Sequence, residues 1–252
     1  MTTLTLDIPA AERRSSFYLF MAGLFVVIAF GGFTPTYWAK LAGGSFRGAP
    51  IIHIHGALFF AWTLFFFVQT ALVASGRTLR HRDWGLAGIA LATAMAITIV
   101  LAAIHSIKVA QGIGMGDAAR RFTVVSLSGL VLFSAFIALA IANVRRPEVH
   151  KRLMLLAMVP LMHAATARLF LTAFAPADAK GPPPIFVSVP PGLVVDLAIV
   201  AGIVNDWRTR GRPHPVYLWG GAALLATQLG SVPLGASATW FAIARWVESL
   251  AG

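Results

Sequence analysis

The sequence predicts an all-α integral membrane bundle of seven transmembrane helices, followed by a short interfacial helix at the C-terminus. First, 58% of the 252 residues are hydrophobic and only 12% are charged, whereas soluble domains average about 25% charged residues. Second, the apolar residues form runs of about 20 with polar breaks between them, as membrane-spanning helices require. Third, these runs are long and unbroken, unlike the short alternating segments of a β-barrel. We therefore expect a single membrane domain over residues 1–252.

The apolar runs predict the position of each helix. The seven expected spans cover residues 17–38, 51–75, 84–105, 122–144, 152–174, 191–206 and 216–234. The polar segment before the first span lacks a small-residue cleavage site, so no removable signal peptide is expected. The last segment, 237–250, contains Trp240, Phe241 and Trp246 beside charged residues. Aromatic rings are enriched at the headgroup level, so this segment is expected to lie at the interface as a short helix.

The basic residues predict the orientation of the chain. The formal net charge is +11, but the lysines and arginines concentrate in the connections between predicted spans. Twelve of them fall on the side of the N-terminus and seven on the other side. The positive-inside rule then places the N-terminus in the cytoplasm and the C-terminus outside, in the cell membrane or, in a bacterium, the inner membrane. The charge is thus explained by the lipid bilayer, and no nucleic acid partner is expected.

The absence of cysteine limits the possible chemistry. The chain has no cysteine, which excludes disulfides, thiolate metal sites and covalent c-type haem attachment. Any metal must therefore be bound by nitrogen, oxygen or thioether ligands. The sequence also lacks an HExxH zinc helix, a glycine-rich phosphate loop and a GxSxG elbow. It consequently assigns no enzyme class.

Several ionisable residues lie within the predicted spans, all in the outer half of the bilayer. Each such group costs about 2.5 kcal/mol or more in hydrocarbon, so these residues are the first place to look for function. Arg168 and Asp196 lie at matching depth, which predicts an ion pair. The pair is either structural or holds an anionic group, such as a haem propionate or a substrate carboxylate. The outer set comprises His53, His55, His105, His163, Arg168 and Asp196.

The histidines offer two candidate ligand sites, because neutral imidazole is the usual protein ligand for iron, copper and zinc. The outer site would pair His163 with His55 or His105, as a metal site or as axial haem ligands. The inner site would pair His81 with His150, both at cytoplasmic helix starts. His55 also begins a stripe of aromatic and polar residues at helical spacing, which either lines a flat cofactor or quinone or is a helix-packing face. His53 is about 200° away from His55 on the helix and is expected to point elsewhere.

Two short elements resemble a known group of proteins. The segments GRTLRHRDWG (76–85) and HKRLM (150–154) are similar to those in uncharacterised bacterial multi-pass membrane proteins that have some likeness to b-type membrane cytochromes. The resemblance covers the second to fifth spans and implies haem b binding through His55, His81, His150 and His163. The sequence departs from the two-haem cytochromes at one point. They have two helices with a 13-residue histidine spacing, whereas here only the fifth span has it.

Three functions follow from this pattern. The first is a membrane protein that binds haem b or a histidine-ligated metal and takes part in electron transfer, with quinone or another membrane subunit as partner. The second is a carrier or receptor for a small molecule or proton, with Arg168, Asp196 and His163 as its polar core. The third is an accessory subunit of a larger membrane complex.

Overall fold

The computed structural model describes residues 10–176 and 178–251, with side chains from Ser16 onward, and no strand occurs in this part of the chain. A π-helical turn (Thr34–Trp38) and a 3-10 turn (Ile185–Ser188) interrupt the α-helices. The α-helices are α1 (Ala10–Phe33), α2 (Ala39–Ala42), α3 (Pro50–Ala74), α4 (Thr78–Asp83), α5 (Gly85–Gln111), α6 (Gly116–Ala142), α7 (Pro147–Phe174), α8 (Val189–Arg210), α9 (Pro215–Ala236) and α10 (Ala238–Ser249).

Six stretches of the described chain are long and apolar enough to cross a membrane, so the expected all-α membrane architecture is confirmed. They are Ser16–Ala42, Pro50–Ala74, Thr78–Gln111, Gly116–Ala142, Pro147–Phe174 and Ile185–Arg210. Helix α9 has 22 residues and occupies the place of the predicted seventh span, but it is not among these six. The 12-residue α10 occupies the place of the predicted interfacial helix.

Most helices extend beyond the predicted spans. Helix α5 continues to Gln111 and α7 begins at Pro147, six residues after and five residues before the predicted limits. Hydropathy marks only the part of a helix that suits hydrocarbon, whereas the backbone hydrogen bonds continue into the polar ends. Proline at the first position of α3, α7 and α9 marks where these helices begin, because its missing N–H is not needed there.

Helix α7 is the centre of the bundle. Helices α1, α3, α5, α6 and α7 pack in succession, and α7 returns to α1, which closes a ring of five helices. The α8–α9 hairpin packs against α7 from the other side. Four consecutive α7 residues, Leu155 to Met158, are fully buried. A helix that is apolar on every side is expected only where other helices surround it.

The outward faces of the bundle are apolar. On α1, Phe20 and Val27 are 67% and 68% exposed, and their separation of seven residues places them on one face. Similar side chains project from other helices, including Leu86, Val131 and Leu197. Soluble monomers rarely expose such continuous apolar surface. The surface therefore fits contact with lipid chains.

Two glycines permit close contacts between helices. A Cβ atom on Gly32 would overlap the backbone carbonyl of Ala165, so α1 and α7 touch there almost backbone to backbone. A Cβ atom on Gly202 would lie 2.5 Å from the ring of Tyr217, so Gly202 makes room on α8 for a side chain of α9. Small residues serve this purpose at many helix interfaces in membranes.

Helix α10 folds back onto α5 and α6. The Trp240 indole donates to the backbone carbonyl of Arg120 at 3.2 Å, and Arg120 Nε lies 2.8 Å from Glu248 Oε2. Gln111 donates to the other oxygen of Glu248 at 2.6 Å. These contacts fix α10 at the predicted outer end, where α5 ends and α6 begins.

Candidate functional sites

The structure brings together the two histidines of the predicted inner site. The rings of His81 on α4 and His150 on α7 have centroids 6.2 Å apart and planes inclined by 79°. His150 Nδ1 lies 2.9 Å from the carbonyl of Ala140 on α6. That hydrogen bond holds the ring in one orientation and leaves Nε2 as its free ligand atom, the usual arrangement behind a metal-binding histidine.

Two buried polar atoms, one on this pair and one on a residue whose backbone lies beside it, have no partner among the described residues. They are His81 Nδ1 and the side-chain Oε1 of Gln69, and the backbone carbonyl of Gln69 lies beside His81. Gln69 is 8% exposed. Buried polar groups are nearly always hydrogen-bonded, and each exception calls for a ligand, an ion or a water. The inner site thus has both a histidine pair and unfilled bonding capacity.

A second polar cluster at the predicted inner end was not singled out from the sequence. Arg152 on α7 and Asp206 on α8 are 1% and 0% exposed. Arg152 Nε donates to Asp206 Oδ2 at 2.8 Å, and Nη2 donates to Oδ1. Arg152 Nη1 also lies 2.8 Å from a carboxylate oxygen of Glu148. The two-point contact suits the planar guanidinium and joins α7 to α8.

Two tyrosines and a loop extend this cluster to α1 and α9. The Tyr18 and Tyr217 hydroxyls lie 3.1 Å apart, and the Arg152 guanidinium carbon is 5.8 Å from the Tyr217 ring centroid. The backbone N–H of His214, in the α8–α9 connection, donates to Asp206 at 3.1 Å. The cluster therefore joins four helices at one end of the bundle.

The electrostatics of the α8–α9 connection follow from this cluster. Burial lowers the pKa of His214, and the positive charges of Arg152 and Arg210 lower it further. A neutral His214 suits its position, because Nδ1 accepts the backbone N–H of Val216 at 3.2 Å and caps α9. Histidine in this role must keep Nδ1 unprotonated.

The sequence contained only a weak signal for this cluster. Arg152 lies among basic residues that were assigned to membrane orientation, and Asp206 lies at the end of a predicted span. Four acidic residues of the C-terminal half, Glu148, Asp178, Asp196 and Asp206, lie in a predicted span or within four residues of one. Matching the depth of each one against every arginine would have added Arg152 with Asp206 to the list of candidate pairs.

The structure does not form the predicted ion pair between Arg168 and Asp196. Arg168 turns from α7 toward α1, where its guanidinium carbon lies 4.4 Å from the Phe33 ring centroid. Asp196 turns from α8 toward α9 and accepts a hydrogen bond from Gln228 Nε2 at 3.1 Å. Depth alone does not determine contact, because the two side chains lie on helix faces that are directed at different neighbouring helices.

The predicted outer histidine site is not assembled either. Among the described residues, no group of three or more His, Cys, Asp or Glu side chains could hold a metal ion. His163 Nε2 donates to the Ser188 carbonyl at 2.7 Å, and His105 makes no side-chain hydrogen bond with the described residues. His55 packs on Phe59, with ring centroids 4.4 Å apart. His53, expected to point elsewhere, has its Nδ1 2.9 Å from the Tyr37 hydroxyl.

The aromatic stripe that follows His55 is mainly a packing face. Trp62 and Phe66 are 2% and 6% exposed. Trp62 Nε1 donates to the thioether of Met158 at 3.2 Å, and its ring contacts Phe133 edge to face, with centroids 5.4 Å apart. The stripe therefore joins α3 to α6 and α7.

A small cavity with a mixed apolar and polar lining lies beside His163. It has a volume of about 40 Å³ and is lined by side chains from α6, α7 and α9 together with Ser188. A water needs about 10–15 Å³ of such space and two to four polar partners. The polar lining residues are His163, Ser128, Ser188, Thr227, Gln228 and Ser231. The cavity can hold ordered water, and Gln228 connects it to Asp196.

Comparisons of the chain with protein families, with characterised proteins and with solved structures gave no match.

Proposed function

We propose that this chain is a membrane redox protein that holds a b-type haem between His81 and His150 and takes part in electron transfer. The observation that supports it is the 6.2 Å separation of the two ring centroids. A metal–nitrogen bond is about 2 Å long and a ring nitrogen lies about 1 Å from its centroid, so two imidazoles that held one metal ion between them would have centroids about 6 Å apart. A tetrahedral angle would bring the centroids to about 5 Å.

The donor set also favours haem iron over zinc. Only two histidines meet at this point, whereas structural zinc takes four protein ligands and catalytic zinc three. A b-type haem would need only two protein ligands, and His81 and His150 would hold it. The unpartnered Nδ1 of His81 and the anchored ring of His150 suit that role. Arg77, Arg80 and Arg82, in the connection that contains His81, would supply cations for the carboxylates of the group.

The protein's own residues would fix the position and the surroundings of the group. A haem supplies a one-electron couple, and its potential depends on axial ligands, burial and neighbouring hydrogen bonds. The Ala140 carbonyl orients His150. Gln69 offers an acceptor at the same level. At the membrane boundary, a quinone or another membrane subunit is the expected electron partner.

We propose further that α9 is a seventh span and that the N-terminus is cytoplasmic. Helix α9 has 22 residues, or about 33 Å at 1.5 Å per residue, which is enough to cross the hydrocarbon. It packs between α6, α7 and α8, so its polar Gln228 faces the bundle. The excess of basic residues at the end that contains His81 supports a cytoplasmic position for that end.

The haem proposal is tested on the detergent-purified full-length protein by haem and metal analysis. We expect one iron and one protohaem per chain in the wild type, and loss of both in His81→Ala and His150→Ala. His105→Ala is the matched control, because His105 is half-buried but has no side-chain hydrogen bond with the described residues. Folded wild-type protein from haem-replete cells that contains neither iron nor protohaem would refute the proposal.

The cavity beside His163 favours a second candidate function, a proton carrier. A proton pathway would need such a water-sized space and such a connection, here through Gln228 to Asp196. The test is proton flux into liposomes that contain the protein. Asp196→Asn should abolish the flux, while Asp117→Asn, at an exposed position on α6, should not. Equal flux in Asp196→Asn would exclude this candidate.

A further inference from the structure

We propose that Arg168 and the polar and aromatic side chains facing it at the predicted outer end of α1 and α3 bind the anionic group of an amphiphile. The ligand class is a carboxylate or phosphate attached to an apolar body. This inference concerns the opposite end of the bundle from His81 and His150 and does not depend on the haem.

The first observation is that Arg168 has no counter-charge. In residues 16–176 and 178–251, no carboxylate oxygen lies within 4.0 Å of its guanidinium, and the guanidinium makes no hydrogen bond there. Its contact is the face of Phe33, at 4.4 Å from the ring centroid. A cation over an aromatic face is attracted by the ring, but its five N–H donors still lack acceptors. A charge in an apolar span usually has a partner, and none is present in the described part of this chain.

The second observation is a group of buried polar atoms nearby that also lack partners. Thr36 Oγ1, Trp38 Nε1 and His55 Nδ1 form no hydrogen bond with any described residue. Arg168 lies close enough to His55 for its charge to act on the imidazole. Thr36 and Trp38 belong to the π-helical turn that follows Phe33, the residue over which Arg168 lies. Buried polar groups without partners are rare, so three of them in this part of the bundle, together with an unpaired arginine, point to a missing ligand.

The aromatic rings connect these atoms into one site. Phe60 contacts Phe33 at a centroid distance of 5.5 Å and Trp38 at 4.8 Å, so Trp38 is one ring away from the phenylalanine beneath Arg168. Trp38 is placed by the π-helical turn Thr34–Trp38. Such turns are uncommon and are often found at functional sites, because they redirect side chains without ending the helix.

The donors select the charge of the ligand. A guanidinium and an indole N–H can only donate hydrogen bonds. A carboxylate or phosphate accepts several such bonds and neutralises the arginine, and arginine matches both groups in geometry. A cation would be repelled, and a neutral group would leave the charge uncompensated.

The position of the site selects the rest of the ligand. Arg168 lies six residues before the end of α7 at Phe174, or about 9 Å along the helix. The close contact of Gly32 with Ala165 lies about one turn of α7 further into the membrane. The next residue, Leu169, is 45% exposed on the apolar surface. The anionic group therefore enters from the predicted outer interface, and its apolar body lies along the helices. A membrane phospholipid and a free lipophilic acid both have this chemistry.

The test uses two pairs of probes and the full-length protein in neutral detergent. Binding of each probe is measured by the change in the thermal unfolding temperature of the protein. Oleate is compared with oleyl alcohol, and phosphatidylglycerol with phosphatidylcholine. We expect the anionic member of at least one pair to raise the unfolding temperature and its neutral counterpart not to. Response to phosphatidylglycerol alone identifies a bilayer lipid, and response to oleate alone identifies a free acid. A wild type that responds to neither anion overturns the proposal.

The variants locate the binding site. Arg168→Gln should weaken the binding of the anion that stabilises the wild type by about tenfold or more, the size expected for lost charge-assisted hydrogen bonds. Arg245→Gln is the matched control, because Arg245 also lies over a phenylalanine ring, at 4.9 Å from the Phe241 centroid, but its own side chain is exposed on α10. Trp38→Phe keeps the ring and removes one donor, and it should weaken binding even if Arg168→Gln does not fold. Unchanged affinity in both Arg168→Gln and Trp38→Phe also overturns the proposal.

Discussion

Replacement of Asp206 by asparagine should destabilise the protein strongly. Asp206 is 0% exposed and accepts two hydrogen bonds from Arg152 and one from the His214 backbone. The asparagine side chain would fill nearly the same volume but leave the arginine charge buried with only Glu148 beside it. Glu148 is 46% exposed at its side chain, so water screens most of its attraction. Breaking a buried pair by removing one partner costs about 3–5 kcal/mol.

The cost can be read from thermal unfolding in detergent. For a chain of this size, 1 kcal/mol corresponds to about 2–4 °C, so the unfolding temperature of Asp206→Asn should fall by about 10 °C. Asp117→Asn is the control, because Asp117 pairs with Arg120 but its side chain is 72% exposed, and exposed pairs contribute about 0–1 kcal/mol. If the double variant Arg152→Met, Asp206→Leu is more stable than Asp206→Asn, the stranded charge is the cause. A change below about 2 °C in Asp206→Asn would refute the reasoning.

Two further predictions concern the packing of α1 on α7 and the pH dependence of α10. Gly32→Ala should lower the unfolding temperature, because its Cβ would overlap the Ala165 carbonyl. Gly31→Ala is the control, because it adds a methyl group in open space. Equal stability of the two variants would contradict the close contact of α1 and α7. The hydrogen bond from Arg120 holds the pKa of Glu248 below its ordinary value. This contribution to stability is therefore complete above the pKa of an unfolded glutamate, about 4.3, and is lost as the pH falls through the lower folded value. The protection factor of the α10 amides, which is the intrinsic rate of hydrogen exchange at each pH divided by the observed rate, should fall in acid in the wild type and stay constant over this range in Glu248→Gln. An unprotected α10 at neutral pH would contradict this account.

The membrane architecture could be predicted from the sequence because it depends on sums over many residues. Each span is determined by about 20 apolar residues, so the prediction of a span does not depend on any single residue. The helix ends were less accurate, as at Gln111 and Pro147, because hydropathy does not report where backbone hydrogen bonding stops. The π-helical turn at Thr34–Trp38 had no recognisable signal in the composition, and it determines where Trp38 lies.

The candidate sites could be predicted only in part, because a site depends on which helix faces meet. The inner histidine pair was predicted from two similar connections, and the structure brings His81 and His150 together. The pairing of Arg168 with Asp196 rested on depth alone. Depth gives only the position of a side chain along the membrane normal. Whether two side chains meet also depends on the rotation of each helix and on which helices are neighbours. The same limitation hid Arg152 and Asp206, which lie at helix ends and could be explained by orientation and solvation.

The central claim, that His81 and His150 hold a haem at the inner end of the bundle, is tested most directly by a difference spectrum. The purified wild type is recorded oxidised and then reduced, beside His81→Ala, His150→Ala and His105→Ala. We predict the low-spin absorbance change of a haem with two histidine ligands in the wild type and in His105→Ala. The same change should be absent from the other two variants. A difference spectrum that survives unaltered in both His81→Ala and His150→Ala, or a folded wild type with no visible absorbance, would contradict the claim.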